Sequence, residues 1–492
     1  MSVPPPESLA GVLARHARLR PAATALHFEG AALTYAELAR HCERMAGHLW
    51  HQWGLREGDR LAWLGANHPG QLMLLFALAR LGAILLPLNF RLAPAELDVL
   101  IADGGARHLV HDGAWAEPAR ALGLRAGLAL HPVEELLSAP DAETAPQLGG
   151  LSSPALLVFT SGTTGRAKGA VHTQANLLAN MEIASAVQEM TPQDVVATML
   201  PLFHVGGLCI QTLPALYTGA TVILHSRFVA GAALDCFERQ RPTLTLQVPA
   251  TMKALVEDSH WRATDLSGLR AVWAGSSLLP ARLIEAFHAR GVPVCNVYGA
   301  TETGPFSIAL PPAQARDHVG SCGWPAPRVE VRRGNEADGV GELLVRGPNV
   351  AGRYWPDLPV CDEQGWFHSG DLASQAADGS FTIVGRARDL IISGGENIHP
   401  AEIESVLAEH PCVAECAVFG IADDVWGEAV AAAIVLAPGH TASEPELRSY
   451  LDGRLARFKQ PRRWLWLSSL PRTALGKVQR SVLAQLAQGN SQ

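Results

Sequence analysis

Residues 155–159, Ala-Leu-Leu-Val-Phe, form an apolar run that leads without a break into Thr160-Ser161-Gly162-Thr163-Thr164-Gly165-Arg166-Ala167-Lys168-Gly169. A short apolar run bounded by turn formers reads as a buried strand. The ten residues after it hold three glycines, four hydroxyls and a lysine. Such a loop offers backbone N–H groups, O–H donors and a positive charge, the partners that phosphate oxygens accept from. It is not a Walker A loop, because Lys168 is followed by Gly169 rather than Ser or Thr and the glycine spacing differs. A second short strand, Ala170-Val171-His172, and a helix capped by Thr173 come next, so the loop joins two strands. A solvated hairpin tip is the competing reading of the loop taken alone.

Composition narrows what surrounds that loop. With 492 residues the chain is long enough for roughly three core units. Only 17% of it is charged and 48% is hydrophobic, which excludes disorder along the whole chain. The net charge is −8 and basic residues cluster only as short Arg pairs, so no nucleic-acid face is expected. Residues 72–88 are apolar but interrupted by Arg80 and Pro87, which predicts an amphipathic core helix followed by a strand rather than a membrane span. Residues 205–224 carry no formal charge, yet three glycines, Pro214, Gln211 and several threonines make them poor lipid ligands. No secretory leader is expected at the N-terminus and no peroxisomal address at the C-terminus. The eight cysteines form no CxxC, and a reduced, cytoplasmic protein is expected.

The first 150 residues alternate helix-like and strand-like runs, such as the helix start Leu33–Leu38 and the strand Leu61–Leu64, which argues for α/β layers. Residues 132–154 read as a surface connection. From about residue 340 short strands with glycine turns take over. The last hundred residues read as a small α+β unit. Its strand ends at Ile391-Ile392, Gly394-Gly395 turn, and Pro400 opens a helix with Ile403, Val406 and Leu407 on one face. Strands are expected at 413–421 and 428–436, then a helix with Ser443 and Glu446 as a capping box. The boundary falls near 386–389.

The loop at 160–169 closely resembles the phosphate loop of the adenylate-forming superfamily, which includes acyl- and aryl-CoA ligases, peptide-synthetase adenylation domains and insect luciferases. Four further strings occur in that family's order. Tyr298-Gly299-Ala300-Thr301-Glu302 is similar to the adenine and magnesium motif, and Trp366-Phe367-His368-Ser369-Gly370-Asp371 to the ribose motif. Gly385-Arg386-Ala387-Arg388-Asp389 with Ser393-Gly394-Gly395-Glu396-Asn397 is similar to the hinge, and Pro471–Lys477 to the C-terminal lysine motif. The resemblance runs over nearly the whole chain. It implies an α/β fold: a large N-terminal domain, 1–386, of layered α/β sheets with a small barrel-like β part, then a small mobile α+β lid, 387–492, carrying the catalytic lysine.

The implied activity is that of an acid–CoA ligase working in two half-reactions. A carboxylate and Mg-ATP give an acyl-adenylate and pyrophosphate; coenzyme A then displaces AMP. A stand-alone adenylation protein that loads a carrier protein is the alternative, disfavoured because only fifteen residues follow Lys477. The resemblance assigns ATP to Thr160, Ser161, Gly162, Thr163, Thr164, Gly165 and Lys168, to Gly275, Ser276 and Ser277, to Asn296, Tyr298, Gly299 and Ala300, and to Asp371 and Arg386. Glu302 is a hard oxygen ligand of the kind Mg²⁺ takes beside nucleotide phosphates, and Thr301 adds a hydroxyl at the α-phosphate. Lys477 brings positive charge to the attacked phosphorus. Gly394 and Gly395 line the route of the thiol, with Trp426, Phe458, Arg462 and Arg91 gripping coenzyme A. Partners are thus small molecules, and a homodimer is compatible with the resemblance.

Pro201-Leu202-Phe203-His204-Val205-Gly206-Gly207 matches the family segment beside the acyl pocket. His204 stands where amino-acid-selecting relatives usually place Asp, so amino-acid activation is disfavoured and His204 is expected to gate the thiol route. Residues 205–224 hold no Arg or Lys to read a second carboxylate. The remaining wall candidates, Trp273, Ala274, Ser277, Ala300, Gly304, Pro305 and Phe306, are apolar or small. An apolar monocarboxylate is expected, aromatic or medium to long chain.

Overall fold

The computed structural model describes residues 6–140, 143–160, 167–275, 279–337, 339–393, 396–423, 426–452, 454–473 and 476–489. They pack as two compact units, one of residues 1–279, 283–332 and 344–368, the other of residues 280–282, 333–343 and 369–492.

Two sheets build the first unit. An eight-stranded sheet has the order Leu358–Pro359, Arg353–Trp355, Lys168–Thr173, Pro154–Thr160, Ile84–Pro87, Arg60–Leu64, His108–His111, Ala129–Pro132. The last five strands are parallel, each reached through helical or loop crossovers. Lys168–Thr173 folds back antiparallel on Pro154–Thr160 with Lys168 opposite Thr160, so the glycine and hydroxyl loop joins two strands. A nine-stranded sheet has the order Trp324–Pro325, Ile308–Ala309, Val294–Tyr298, Ala271–Ala274, Leu244–Gln247, Val195–Thr198, Thr221–Leu224, Thr24–Phe28, Ala31–Thr34. Val294–Tyr298 through Thr24–Phe28 are parallel in it.

Two of the long helices start where side chains supply caps. Thr34 accepts from the Glu37 amide at the head of Tyr35–His51 while Glu37 reaches back to the Thr34 amide, and Thr173 and Asn176 do the same for Gln174–Val187. The helix Pro69–Leu81 differs from the amphipathic expectation: all its residues except Arg80 are buried. Its sequence is apolar on every face, so it lies inside the core rather than along its edge. Arg80 donates to the Ala145 carbonyl from Nε (3.1 Å) and Nη2 (2.9 Å), which satisfies the interrupting charge. The expected surface connection at 132–154 also differs. It holds the helix Val133–Leu137, buries Ala145, and at Gly149 approaches the Ala79 carbonyl so closely that a Cβ would stand 1.8 Å from the oxygen.

The second unit contains most of a four-stranded sheet, Glu330–Ala337, Val340–Arg346, Phe367–Gln375, Phe381–Arg386, and all of a five-stranded one. In the latter Val413–Asp423 and Gly427–Leu436 pair antiparallel, and Arg463–Trp466 adds in parallel. The two-residue period sorts its faces: Val418, Val430, Ala432 and Ile434 pack under the helices Pro400–Ala408 and Glu444–Leu451, while Phe419, Ala429, Ala431 and Ala433 pack with Leu465 and Leu483 on the other side. Ser443 caps Glu444–Leu451 with Glu446 in the capping box.

Candidate active site

In the first unit, three segments far apart in sequence converge. Arg353–Trp355 pairs antiparallel with Lys168–Thr173, which sets Tyr354 opposite Ala170. From there the Tyr354 hydroxyl donates to Glu302 Oε1 at 2.8 Å, and Lys168 Nζ stands 5.2 Å from the centre of the Tyr354 ring. Burial and then the Glu302 carboxylate push the phenol pKa well above its ordinary value, so Tyr354 stays a donor. Glu302 itself is buried, in the single 3₁₀ turn Thr301–Thr303 that follows the strand Val294–Tyr298. Below Thr301 lies His172, fully buried, whose imidazole burial lowers to about 4 and holds neutral.

The turn bearing Glu302 is clamped from several sides. Ala351 N donates to the Glu302 carbonyl at 2.7 Å. Two buried asparagines hold its exit: Asn349 Nδ2 donates to the carbonyls of Thr303 and Phe306, and Asn180 Oδ1 accepts from Phe306 N at 3.3 Å. Gly299 packs against Pro305, where a Cβ would lie 1.6 Å from the carbonyl oxygen. Tyr298 and Ala300 flank it, both half-buried. Gly275 ends the neighbouring strand Ala271–Ala274 with its α-carbon facing Val297. Asn296 uses its amide to donate to Ser321 O (3.2 Å) and Cys322 Sγ (3.4 Å).

Beside this turn the packing is aromatic. Trp273 and Phe306, both fully buried, lie 5.7 Å apart. Ala274 does not join them: strand alternation turns it to the opposite face, with Met199 and Leu283. His204 precedes a one-turn helix and lies 4.6 Å from the Phe203 ring, which meets Phe90 edge-on at 5.3 Å. Arg91 stands 5.8 Å from the Phe203 ring. After Gly207 the helix widens to a π-turn over Leu208–Thr212, where Thr212 Oγ1 donates to Gly207 O at 2.7 Å.

In the second unit, Asp371 and Arg386 stand opposite each other on paired strands and form an ion pair, Nε to Oδ1 2.7 Å. The Asp371 carboxylate is largely buried and its amide donates to Ser369 Oγ. Trp426 and Arg462, from separate segments, meet with the guanidinium 4.5 Å from the indole. Lys477 is exposed and pairs with Thr473: Thr473 N donates to Lys477 O (2.8 Å) and Lys477 N to Thr473 Oγ1 (3.2 Å). Arg472 ties that segment to Glu415 at 2.6 Å. Ser161, Gly162, Thr163, Thr164, Gly165, Ser276, Ser277, Gly394 and Gly395 lie outside the described residues.

The AMP-binding enzyme profile matches residues 13–355 and the AMP-binding enzyme C-terminal domain profile residues 402–477. The chain belongs to the AMP-binding enzyme family. Indoleacetate–CoA ligase of Aromatoleum aromaticum is 42% identical over 499 residues, covering 96% of each chain. Feruloyl-CoA synthase of an Amycolatopsis species is 42% identical over 473 residues, 94% of this chain and 96% of that one. Among solved structures, o-succinylbenzoate CoA synthetase of Bacillus subtilis with its acyl-adenylate superposes with a TM-score of 0.88 at 32% identity, covering 96% of this chain and 97% of that one.

For an AMP-binding enzyme the arrangement suits a cation that arrives with the nucleotide. Among the described residues no three His, Cys, Asp or Glu converge into a protein-only metal centre. A single buried carboxylate, Glu302, fits Mg²⁺, which keeps most of its ligands as phosphate oxygens and water. Tyr354 was not among the residues the sequence singles out. The one usable signal was scarcity: of only five tyrosines in the chain, Tyr298 and Tyr354 are both here.

Proposed function

We propose that this AMP-binding enzyme is an AMP-forming acid–CoA ligase whose acid is an apolar aromatic monocarboxylate. Bound Mg²⁺ supplies charge neutralisation across the phosphates of ATP. The observation that carries the reading is the convergence of Lys168, Tyr354 and Glu302 on the turn that Gly299 and the two asparagines hold. Lys168 and the hydroxyl loop from Thr160 bind phosphate oxygens, Glu302 holds the cation, and Thr301 adds a hydroxyl at the α-phosphate. Tyr298, with Gly275, Gly299 and Ala300, shapes the adenine site, and Asn296 braces the strand beneath it. Asp371 accepts from the ribose hydroxyls, with Arg386 fixing its carboxylate. Lys477 supplies the charge that stabilises the attacked phosphorus in the first step.

For the acid, the indoleacetate and ferulate relatives favour an aryl acid, with His204 gating the approach of the thiol. Residues 205–224 offer no cation for a second carboxylate. Coenzyme A takes the acyl group, its nucleotide held by the Trp426–Arg462 pair with Phe458. Residues 387–492 serve as a lid that turns between the two steps. Among the described residues no helix is long and apolar enough to cross a membrane. A reduced, cytoplasmic setting belongs to the same proposal and rests on eight cysteines that form no CxxC. A homodimer belongs to the same proposal and is checked by light scattering.

The test is carboxylate-dependent ATP–pyrophosphate exchange over benzoates, cinnamates, indole and phenyl acetates, and straight-chain acids, each then chased with coenzyme A. Exchange confined to aromatic acids, with a thioester product, is the expected result. A smooth chain-length optimum would replace the aryl acid with a fatty one. Exchange with no CoA thioester would move the acceptor to a carrier protein, and a dicarboxylate outrunning every apolar acid would refute the pocket reading.

A further inference from the structure

We infer that Tyr354 is a positioning residue for the Glu302 carboxylate and through it sets how tightly the enzyme holds the divalent cation of Mg-ATP. The inference rests on the assignment of Glu302 to that cation. Tyr354 is fixed before it reaches Glu302. Its strand is paired to Lys168–Thr173, and the next residue, Trp355, donates from Nε1 to Asp103 O at 2.9 Å with the Arg60 guanidinium 5.0 Å from its ring. From this anchored strand the Tyr354 hydroxyl reaches Glu302 Oε1 at 2.8 Å. Three residues upstream, Ala351 N holds the Glu302 carbonyl at 2.7 Å. The segment 351–355 therefore grips Glu302 at the main chain and at the carboxylate.

A glutamate has three rotatable bonds and two equivalent oxygens. Fixing one oxygen with a rigid phenol aims the other and removes the ordering cost from cation binding. Partners behind a metal-ligating group change metal affinity by about 10–100-fold. The ring has a second task, because Lys168 Nζ lies 5.2 Å from its centre, within range of a cation–π contact. One side chain thus braces both the lysine of the phosphate loop and the acidic residue of the adenine turn, and its two halves are separable by substitution.

Tyr354→Phe keeps the ring beneath Lys168 and removes the hydroxyl alone; Tyr354→Leu removes both. ATP binding to the full chain is measured by calorimetry without any acid, across a Mg²⁺ titration and again in EDTA. For Tyr354→Phe the Mg²⁺ concentration giving half-maximal enhancement is expected to rise about tenfold, with ATP binding in EDTA unchanged. Tyr354→Leu should weaken binding in EDTA as well. If the phenol acts through the carboxylate, the double variant Glu302→Gln/Tyr354→Phe should match Glu302→Gln alone. A wild-type Mg²⁺ dependence in Tyr354→Phe beside an impaired Glu302→Gln overturns the inference and leaves the Glu302 assignment standing. A wild-type Mg²⁺ dependence in Glu302→Gln overturns both. Weaker binding of Tyr354→Phe in EDTA also overturns the inference, since the hydroxyl would then serve the nucleotide directly.

Discussion

Replacing Gly299 with alanine tests whether the adenine turn is held in place by backbone contact. The new Cβ would lie 1.6 Å from the Pro305 carbonyl oxygen; the backbone fixes the Cβ and the oxygen is main chain, so neither can rotate away. Restoring an ordinary carbon–oxygen separation of about 3.2 Å requires an opening of roughly 1.6 Å between Gly299 and Pro305, far beyond what a close-packed interior absorbs without moving the chain. The segment between them carries Thr301 and Glu302, so the carboxylate shifts by about 1 Å. A displacement of that size costs about 100-fold in rate when it misplaces groups aligned for reaction. Stability should fall by about 1–3 kcal/mol, the usual cost of forcing extra volume into a packed site.

The control is Gly149→Ala, whose Cβ would lie 1.8 Å from the Ala79 carbonyl at the end of the central helix. Its steric insult is similar, and it touches none of the residues assigned to ATP. Both variants should lose similar stability in thermal unfolding. Only Gly299→Ala should lose ATP–pyrophosphate exchange per folded molecule. Exchange within threefold of wild type in Gly299→Ala would refute the claim that this contact positions Glu302. Equal loss in both variants would trace the effect to general destabilisation.

Further predictions concern separate parts of the molecule. Lys477→Ala should abolish adenylate formation while sparing thioester formation from supplied acyl-adenylate; equal loss of both steps would refute that division of labour. Asp371→Asn should raise the KM for ATP about tenfold through weaker acceptance from ribose, with kcat less affected and little change in melting temperature, because Arg386 is partly exposed and such pairs contribute about 0–1 kcal/mol. Burial lowers His172 to about 4, so between about pH 6.5 and 4 the unfolded chain binds a proton that the folded one does not, and stability falls as pH falls. From pH 7 to pH 5 that loss is about 2 kcal/mol. His172→Gln should shrink the measured difference between those two pH values by that amount, and an unchanged difference would count against the buried neutral imidazole.

What was legible in the sequence was local. The strand into Thr160, the helix start at Leu33–Leu38, the Thr173 cap, the Ser443 capping box and the strands at 413–421 and 428–436 each arise from neighbours within a few residues, and backbone preferences and caps act over that range. The site was legible as a set of motifs in a family's order: the hydroxyl-rich glycine loop, taken alone, had a competing reading, and the Glu302 and Lys477 segments gained their roles only from that resemblance. Tertiary structure decided which of them meet. Tyr354 and Glu302 are 52 residues apart, and nothing in either segment announces the other; they touch because Arg353–Trp355 adds as a strand beside Lys168–Thr173. The central helix is another case: its sequence permits full burial, but only sheets and helices on every side achieve it, with the Ala145 carbonyl arriving from a distant loop to satisfy Arg80. Gly299 likewise looks like any turn glycine until Pro305 is placed against it. Short-range preferences choose the elements, whereas contact between distant segments depends on which apolar faces and strand edges can be covered together, a property of the whole chain.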